Sequence, residues 1–355
     1  MQSPEKYKRI VIKIGSSLFA GPRSRLDMGM VNNVAGQISE LVKQDKELVI
    51  VSSGAIALGM SILKLSSRPR ELAYLQAAAA VGQHELVHVY KQAFKAHRLD
   101  CAQLLLTWDD FSSRLRYLNA KNTLGTLLKL KCVPVVNEND TVSTEEIKFG
   151  DNDKLSALVS ILVGADLLII LSDVDGLLDK DKKVIRLVDK ITSQVRSLAS
   201  PTNRKTCVGG MVTKIDAAAI AVDSGIPCVI ANGRAKGIIS KIAGNPFSQG
   251  TIFLPKEKML DEKQRWMAFG TRIKGRIVVD EGAKNALCEK KSLLAVGVVS
   301  CEGNFSSGDV VGVYDKRGLE IGRGKAGVSR MDLDKVKGNR HPREVIHRDH
   351  LVILN

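Results

Sequence analysis

Apolar residues along this chain fall into short runs, each ending in small polar residues or giving way to a helical pattern. Arg9 to Ile14 is, past Arg9, an apolar run with a single Lys13 inside it, and meets Gly15, Ser16 and Ser17; Leu48 to Val51 meets Ser52, Ser53 and Gly54 before AIALGM. Both read as buried strands that end in a turn. A long helical stretch covers Glu71 to His97, followed by a strand at Cys101 to Thr107, a helix at Asn119 to Leu130 and a strand at Cys132 to Val136. A helix over 155–165 then precedes a strand at Leu167 to Leu171, and a helix after Lys214 precedes one at Ile226 to Ile230. Strands alternating with helices over short connections predict an α/β class, a doubly wound and mainly parallel sheet. After Pro255 the pattern changes. Residues 256–271 are charged and helical, and then GRIVVDEGA, SLLAVGVVS, GDVVGVYD and LEIGRGKAG read as short strands punctuated by glycine. They predict a small barrel of roughly 85 residues.

Composition adds three constraints. With 355 residues the chain is long enough for two domains, and with only 4% aromatic residues its core must rest on Val, Ile, Leu and Ala. The net charge of +15 invites a nucleic-acid reading, but it is spread, with +10 in the first 260 residues and +5 in the last 95. Anionic small molecules explain a diffuse excess as readily as RNA does. The cysteines Cys101, Cys132, Cys207, Cys228, Cys288 and Cys301 show no CxxC spacing and read as reduced core thiols. The start, MQSPEKYKRIVIKIG, has no apolar signal region, and the longest apolar run, Leu155 to Ala165, is too short to span a bilayer. A cytoplasmic location without membrane contact is expected.

Acid is concentrated in one stretch of this basic chain. Val136 to Leu155, VNENDTVSTEEIKFGDNDKL, holds the carboxylates Glu138, Asp140, Glu145, Glu146, Asp151 and Asp153 and the amides Asn137 and Asn152. It follows a strand, and the carboxyl edge of an open α/β sheet is where ligands bind. The Ser53-Gly54 turn offers an anion the N–H groups and dipole of a helix start. In CVGGMVTK, Gly209 and Gly210 let backbone amides approach a phosphate while Lys214 adds a full charge. No GxxxxGK[ST], no GxGxxG after a strand and no GxSxG occurs, so P-loop chemistry, hydride transfer and acyl hydrolysis lack support. Isolated lysines beside glycine turns, a helix-start anion site and an acid-amide loop suit phosphoryl transfer between two anions. A carboxylate acceptor, with a pKa of about 4, arrives deprotonated and needs no general base. It must instead be held against a triphosphate, where each pair of unit charges ~4 Å apart repels by about 4 kcal/mol at an effective dielectric near 20. Lys13, Lys214 and Mg²⁺ answer that repulsion. A competing motif, His84-Glu85-Leu86-Val87-His88, spells the zinc signature H-E-x-x-H, but Phe94 stands where the extended form needs its third histidine, leaving only Asp109 or Asp110. Two surface histidines are the simpler expectation.

The segments IVIKIGSS, VSSGAIALG, QAAAAVGQ, YLNAKNTL, PVVNENDTV, FGDNDKLSALV, LLSDVDGL and GGMVTK, continued by KGRIVVDEGA, SLLAVGVV, GDVV and EVIHRD, resemble the glutamate 5-kinases of the amino-acid kinase family. The resemblance covers nearly the whole chain. It implies a three-layer αβα sandwich over 1–257, a linker over 258–271 and a β-barrel-like PUA domain over 272–355. It implies ATP-dependent, Mg²⁺-assisted phosphorylation of the L-glutamate γ-carboxylate to γ-glutamyl 5-phosphate, the first step of proline biosynthesis. On this resemblance Lys13 and Lys214 flank the moving phosphoryl group and Asp153 holds both lysines. Ser53, Gly54, Asp140 and Asn152 bind glutamate. Gly15, Ser172, Asp173, Gly209, Gly210 and Met211 bind ATP together with the two lysines. A homo-oligomer of two or four chains, L-proline as feedback inhibitor and hand-over to a glutamyl phosphate reductase are also implied, while RNA binding by the PUA domain stays open. The chain departs from the family at Cys207-Val208, where Gly-Thr is common, and at Leu178, where tyrosine is common. Two alternatives remain: another carboxylate kinase of the same fold, and a PUA-type RNA-binding protein with a degenerate kinase. The second predicts damage at Lys13, Asp153 or Lys214, and all three are intact.

Overall fold

The computed structural model describes residues 7–19, 27–142, 152–199, 210–255, 262–271 and 273–354. The chain forms two compact units, Met1–Thr107 with Leu115–Met259, and Trp108–Arg114 with Leu260–Asn355.

The first unit is built on a sheet of β1 (Arg9–Ile14), β2 (Glu47–Ser52), β3 (Cys101–Leu106), β4 (Val133–Glu138), β5 (Leu167–Ser172), β6 (Leu187–Val188), β7 (Cys228–Asn232) and β8 (Thr251–Phe253). Their order is β3-β4-β2-β1-β5-β7-β8-β6. The pairs are parallel except β7 with β8, which run antiparallel. Strands β4 and β5 are buried along their whole length, apolar where helices cover both faces and ending in the buried polar residues Asn137, Glu138 and Ser172 at the carboxyl edge. Central β1 pairs with β2 on one side and β5 on the other, with Ile12 opposite both Ile50 and Ile169. The chain changes its direction of travel across the sheet at this strand, and such a switch point leaves a crevice beyond the strands' carboxyl ends.

On one face Ile10, Ile12 and Ile14 pack with Val31, Val34 and Ile38 of the Met28–Lys43 helix and with Leu86, Tyr90 and Phe94 of the Leu72–Lys95 helix. Alternation along the strand turns Lys13 to the opposite face, where the Asn152–Val163 helix packs against β1 and against the Met211–Asp223 helix. The strands expected in this unit are present within two residues of their expected bounds, whereas SLLAVGVVS of the second unit is strand only from Val298, its middle forming a 3-10 turn at Ala295–Gly297. The helix following the acidic loop begins three residues earlier than its apolar pattern indicates, at Asn152, so that Asn152 and Asp153 are its first residues.

In the second unit β9 (Gly275–Val279), β10 (Val298–Gly303), β11 (Val310–Tyr314), β12 (Glu320–Lys325) and β13 (Leu351–Ile353) stand in the order β10-β9-β11-β12-β13. Ile277, Val311, Val313, Leu333 and Ile346 share its core. The stretch GRIVVDEGA is not strand throughout: Asp280 accepts from the Ala283 amide at 2.7 Å and so caps a helix, Glu281–Cys288. Trp108–Arg114 joins this unit although it lies far away in sequence, with the Trp266 indole N–H donating to the Phe111 carbonyl at 2.9 Å. No helix of the described residues is long and apolar enough to cross a membrane.

Candidate active site

Two lysines converge on one carboxylate at the carboxyl edge of the first sheet. Lys13 Nζ, from the last turn of β1, lies 2.5 Å from Asp153 Oδ1, and Lys214 Nζ lies 3.3 Å from Asp153 Oδ2. Thr213 Oγ1 donates to Asp153 Oδ2 at 2.8 Å. All three charged groups are buried, Asp153 to 2% exposure and the lysines to 6% and 7%. Burial alone would raise the Asp153 carboxyl, but the charges of Lys13 and Lys214 and the bonds from Lys13 and Thr213 outweigh it and hold the pKa down to about 2. The triad therefore carries one net positive charge in a place where water screens it poorly, which is what a transferring phosphoryl group requires.

Gly15 follows Lys13, and its amide donates to the Leu171 carbonyl at 3.1 Å, drawing the ends of β1 and β5 together. A Cβ at Gly15 would lie 3.2 Å from that carbonyl oxygen and 3.8 Å from Lys13 Nζ. At the end of β5, Ser172 Oγ donates to Asp173 Oδ1 at 3.2 Å. The Met211–Asp223 helix starts from Gly210, which supplies no side-chain cap, so among the described residues its first N–H groups are available to an anion. Gly209, Cys207 and Val208 lie outside the described residues, as do Glu145, Glu146 and Asp151.

Beside the triad is a cavity of about 100 Å³ lined by Ser16, Ser53, Gly54, Asn137, Glu138, Asp140, Asn152 and Arg68, among others. Gly54 adopts φ 112°, which favours glycine, and starts the Ala55–Ile62 helix without a side-chain cap. The Asn152 amide nitrogen donates inward, to the Ser52 carbonyl at 2.8 Å, Ser53 Oγ at 2.9 Å and Asn137 Oδ1 at 2.8 Å. Asn137 in turn donates to Gln83 Oε1 at 2.6 Å. This amide chain fixes Ser53 as an acceptor from Asn152 and leaves its own hydroxyl proton to be donated elsewhere. Asp140, half-buried, also lines the cavity; burial pushes its carboxyl up to about 6, with Arg68 pulling it back down.

The structure thus brings Lys13, Gly15, Ser53, Gly54, Asp140, Asn152, Asp153, Ser172, Asp173, Gly210, Met211 and Lys214 to one edge of one unit. Asn137, an amide of the acid-amide loop, joins them, and the structure adds Ser16, Arg68, Gln83 and Thr213. Ser16 and Thr213 sit beside lysines picked out in the sequence, whereas Gln83 and Arg68 come from other elements and carry no local signal. His84 and His88 are exposed on the Leu72–Lys95 helix, and among the described residues no group of three His, Cys, Asp or Glu could hold a metal ion.

Comparison with known proteins adds independent support. Residues 8–232 match the model of the amino acid kinase family and residues 275–348 that of the PUA domain. The chain is 43% identical over 364 residues to a glutamate 5-kinase of Caldanaerobacter subterraneus, covering 98% of both chains. To a glutamate 5-kinase of Dehalococcoides mccartyi it is 44% identical over 370 residues, covering 98% of this chain and 99% of that one.

Proposed function

The chain belongs to the amino acid kinase family, among the glutamate 5-kinases, and from that premise we propose how its residues carry out the reaction. It transfers the terminal phosphoryl group of ATP to the side-chain carboxylate of L-glutamate, giving the acyl phosphate used in proline biosynthesis. The observation that carries the residue-level reading is the buried Lys13–Asp153–Lys214 triad next to a cavity holding both acid and amide groups.

Glutamate enters with its γ-carboxylate towards the triad, received by the Ser53 hydroxyl and by the free N–H groups at the start of the Ala55–Ile62 helix. Asn152 acts by holding Ser53 and Asn137 in place. Asp140 accepts the α-ammonium group. The nucleotide phosphates lie against Gly15 and the open helix start after Gly210, with Ser172, Asp173 and Met211 beside them. No proton has to leave the acceptor, so the chain supplies positive charge and alignment in place of a base. Lys13 and Lys214 are held by Asp153 without being neutralised, and they stabilise charge that spreads over the phosphoryl oxygens as it moves. The oxygens of Asp153 are already engaged by the lysines and Thr213, so Mg²⁺ is expected to arrive on the nucleotide phosphates, where it offsets their charge. A homo-oligomer of two or four chains, L-proline as inhibitor, delivery of the product to a reductase and a cytoplasmic location belong to the same proposal.

Glutamate-dependent ADP release, with hydroxylamine trapping the acyl phosphate as a hydroxamate, tests the reading. ADP release that ignores glutamate, or responds equally to other carboxylates in a panel of amino acids, would overturn it.

A pH effect follows from Asp140. Its carboxyl, raised to about 6 by burial, must be ionised to receive an ammonium group. kcat/KM for glutamate should therefore climb as pH rises through about 6 and then level off, because that ratio reports the free enzyme. Charged groups facing it are Arg68 and Glu138. In Asp140→Asn the rise at this pH should vanish and KM for glutamate should increase far more than KM for ATP. A rise of the same midpoint in the variant would assign the titration to another group.

A further inference from the structure

The acceptor cavity is lined by two chemically different groups of residues. Ser16, Ser53 and Asn152 belong with the triad, since Asn152 immediately precedes Asp153 and Ser16 follows the Lys13-Gly15 turn. Asp140 and Arg68 form a second, charged group. Arg68 is the one cation in the cavity lining among the described residues, and it stands close enough to Asp140 to act on its carboxyl. Among those residues its N–H donors make no hydrogen bond. It belongs to the short connection between the Ala55–Ile62 and Leu72–Lys95 helices, and Pro69 behind it restricts its backbone towards an extended form, which lowers the entropy lost when it is fixed.

A zwitterionic α-carbon presents one ammonium and one carboxylate a few ångströms apart. A carboxylate and a guanidinium side by side complement it. Without Arg68 the charged groups lining the cavity among the described residues would be Asp140 and Glu138, and an α-carboxylate would be repelled. We propose that Arg68 is a specificity-determining residue that receives the α-carboxylate of the acceptor amino acid, while its neighbour Asp140 receives the α-ammonium group. The pair makes the site selective for free α-amino acids over dicarboxylates and over peptides or amides blocked at the α-carboxyl. The inference rests on glutamate being the acceptor.

L-isoglutamine supplies the probe, because it keeps the γ-carboxylate and the ammonium and replaces the α-carboxylate with a neutral amide of the same shape. The wild-type chain should use glutamate in preference to isoglutamine, measured as kcat/KM or, where turnover is slow, as inhibition of glutamate-dependent ADP release. In Arg68→Gln that preference should fall about 10–100-fold, the range of a hydrogen bond to a charged group. The loss should come from glutamate through KM, with KM for ATP unchanged. Arg68→Lys should recover part of the preference. If Arg68→Gln weakens both acceptors equally, or neither, Arg68 serves Asp140 or the loop and the proposal is wrong. Absence of glutamate-dependent ADP release in the wild-type chain would instead remove the glutamate reading itself.

Discussion

Asp153→Asn should cut turnover at least about 10³-fold while the protein also loses stability. Asp153 is the shared partner of Lys13 and Lys214, and all three are buried. With a neutral amide in its place the two ammonium groups face each other in a poorly screened site, and leaving buried charge unpaired costs about 3–5 kcal/mol. The lysines then turn outward or lose their protons. Either change removes charge from the transition state, where one well-placed donor is worth about 10²–10³ in kcat. The pH dependence separates stability from catalysis. Because the folded Asp153 carboxyl is held down to about 2, below its value of 3.8 when unperturbed, it stabilises the fold above about pH 4. That contribution is lost as pH falls towards 2. The Tm gap between wild type and Asp153→Asn should accordingly be widest above pH 4 and narrow on acidification. A variant that folds like the wild type and retains turnover within tenfold would reduce Asp153 to a bystander.

The sequence made the sheet and most of the triad legible for the same physical reason: strands buried on both faces must be apolar, so a polar residue inside one stands out. Lys13 interrupts an otherwise apolar strand, and Lys214 sits just past a pair of glycines. The Leu72–Lys95 helix carries the other signal, with Leu75, Ala79, Leu86, Val89 and Ala93 recurring at helical spacing, whereas the Met28–Lys43 helix is not among the expected elements. What local pattern cannot reveal is which side chains meet after folding. Gln83 reads as one more polar position on a long helix, yet it accepts the hydrogen bond that orients Asn137 across 54 positions of sequence. Arg68 lies in a charged, serine-rich loop and is exposed, as such a position ordinarily is; its place in the cavity lining beside Asp140 is what no local pattern shows. Trp108–Arg114 follows β3 directly, and contacts far along the chain, from Trp266 to the Phe111 carbonyl and from Ser112 to the Gly270 carbonyl, show that it joins the second unit. Asn152 reads as a substrate ligand by residue type, but its amide nitrogen is turned to Ser52, Ser53 and Asn137.

Gly82→Ala should weaken glutamate binding severely from a distance, through backbone packing. The Ala55–Ile62 and Leu72–Lys95 helices touch main chain to main chain. A Cβ on Gly82 would fall 1.8 Å from the Ala55 carbonyl oxygen and 2.4 Å from the Gly59 nitrogen, and one on Gly59 would fall 1.7 Å from the Ala78 carbonyl oxygen. Neither obstacle is a flexible side chain, so one helix must move off the other. Overpacking a core ordinarily costs about 1–3 kcal/mol, and a backbone obstacle belongs at the upper end of that range or beyond it. The displacement falls on function because Ala55 begins the helix whose free N–H groups line the acceptor cavity, next to Ser53 and Gly54. Gln83, the adjacent residue, anchors the amide chain through Asn137 to Asn152 and Ser53. Pushing at Gly82 therefore disturbs both supports of the pocket together. KM for glutamate should rise at least about 100-fold, the effect of losing two or more polar contacts of about 1.5 kcal/mol each. KM for ATP should change much less, since Gly15, Ser172 and Gly210 lie on other elements. A lowered Tm should accompany the change. If a folded Gly82→Ala protein keeps its Tm and its KM for glutamate, the close helix contact is not what positions the acceptor site.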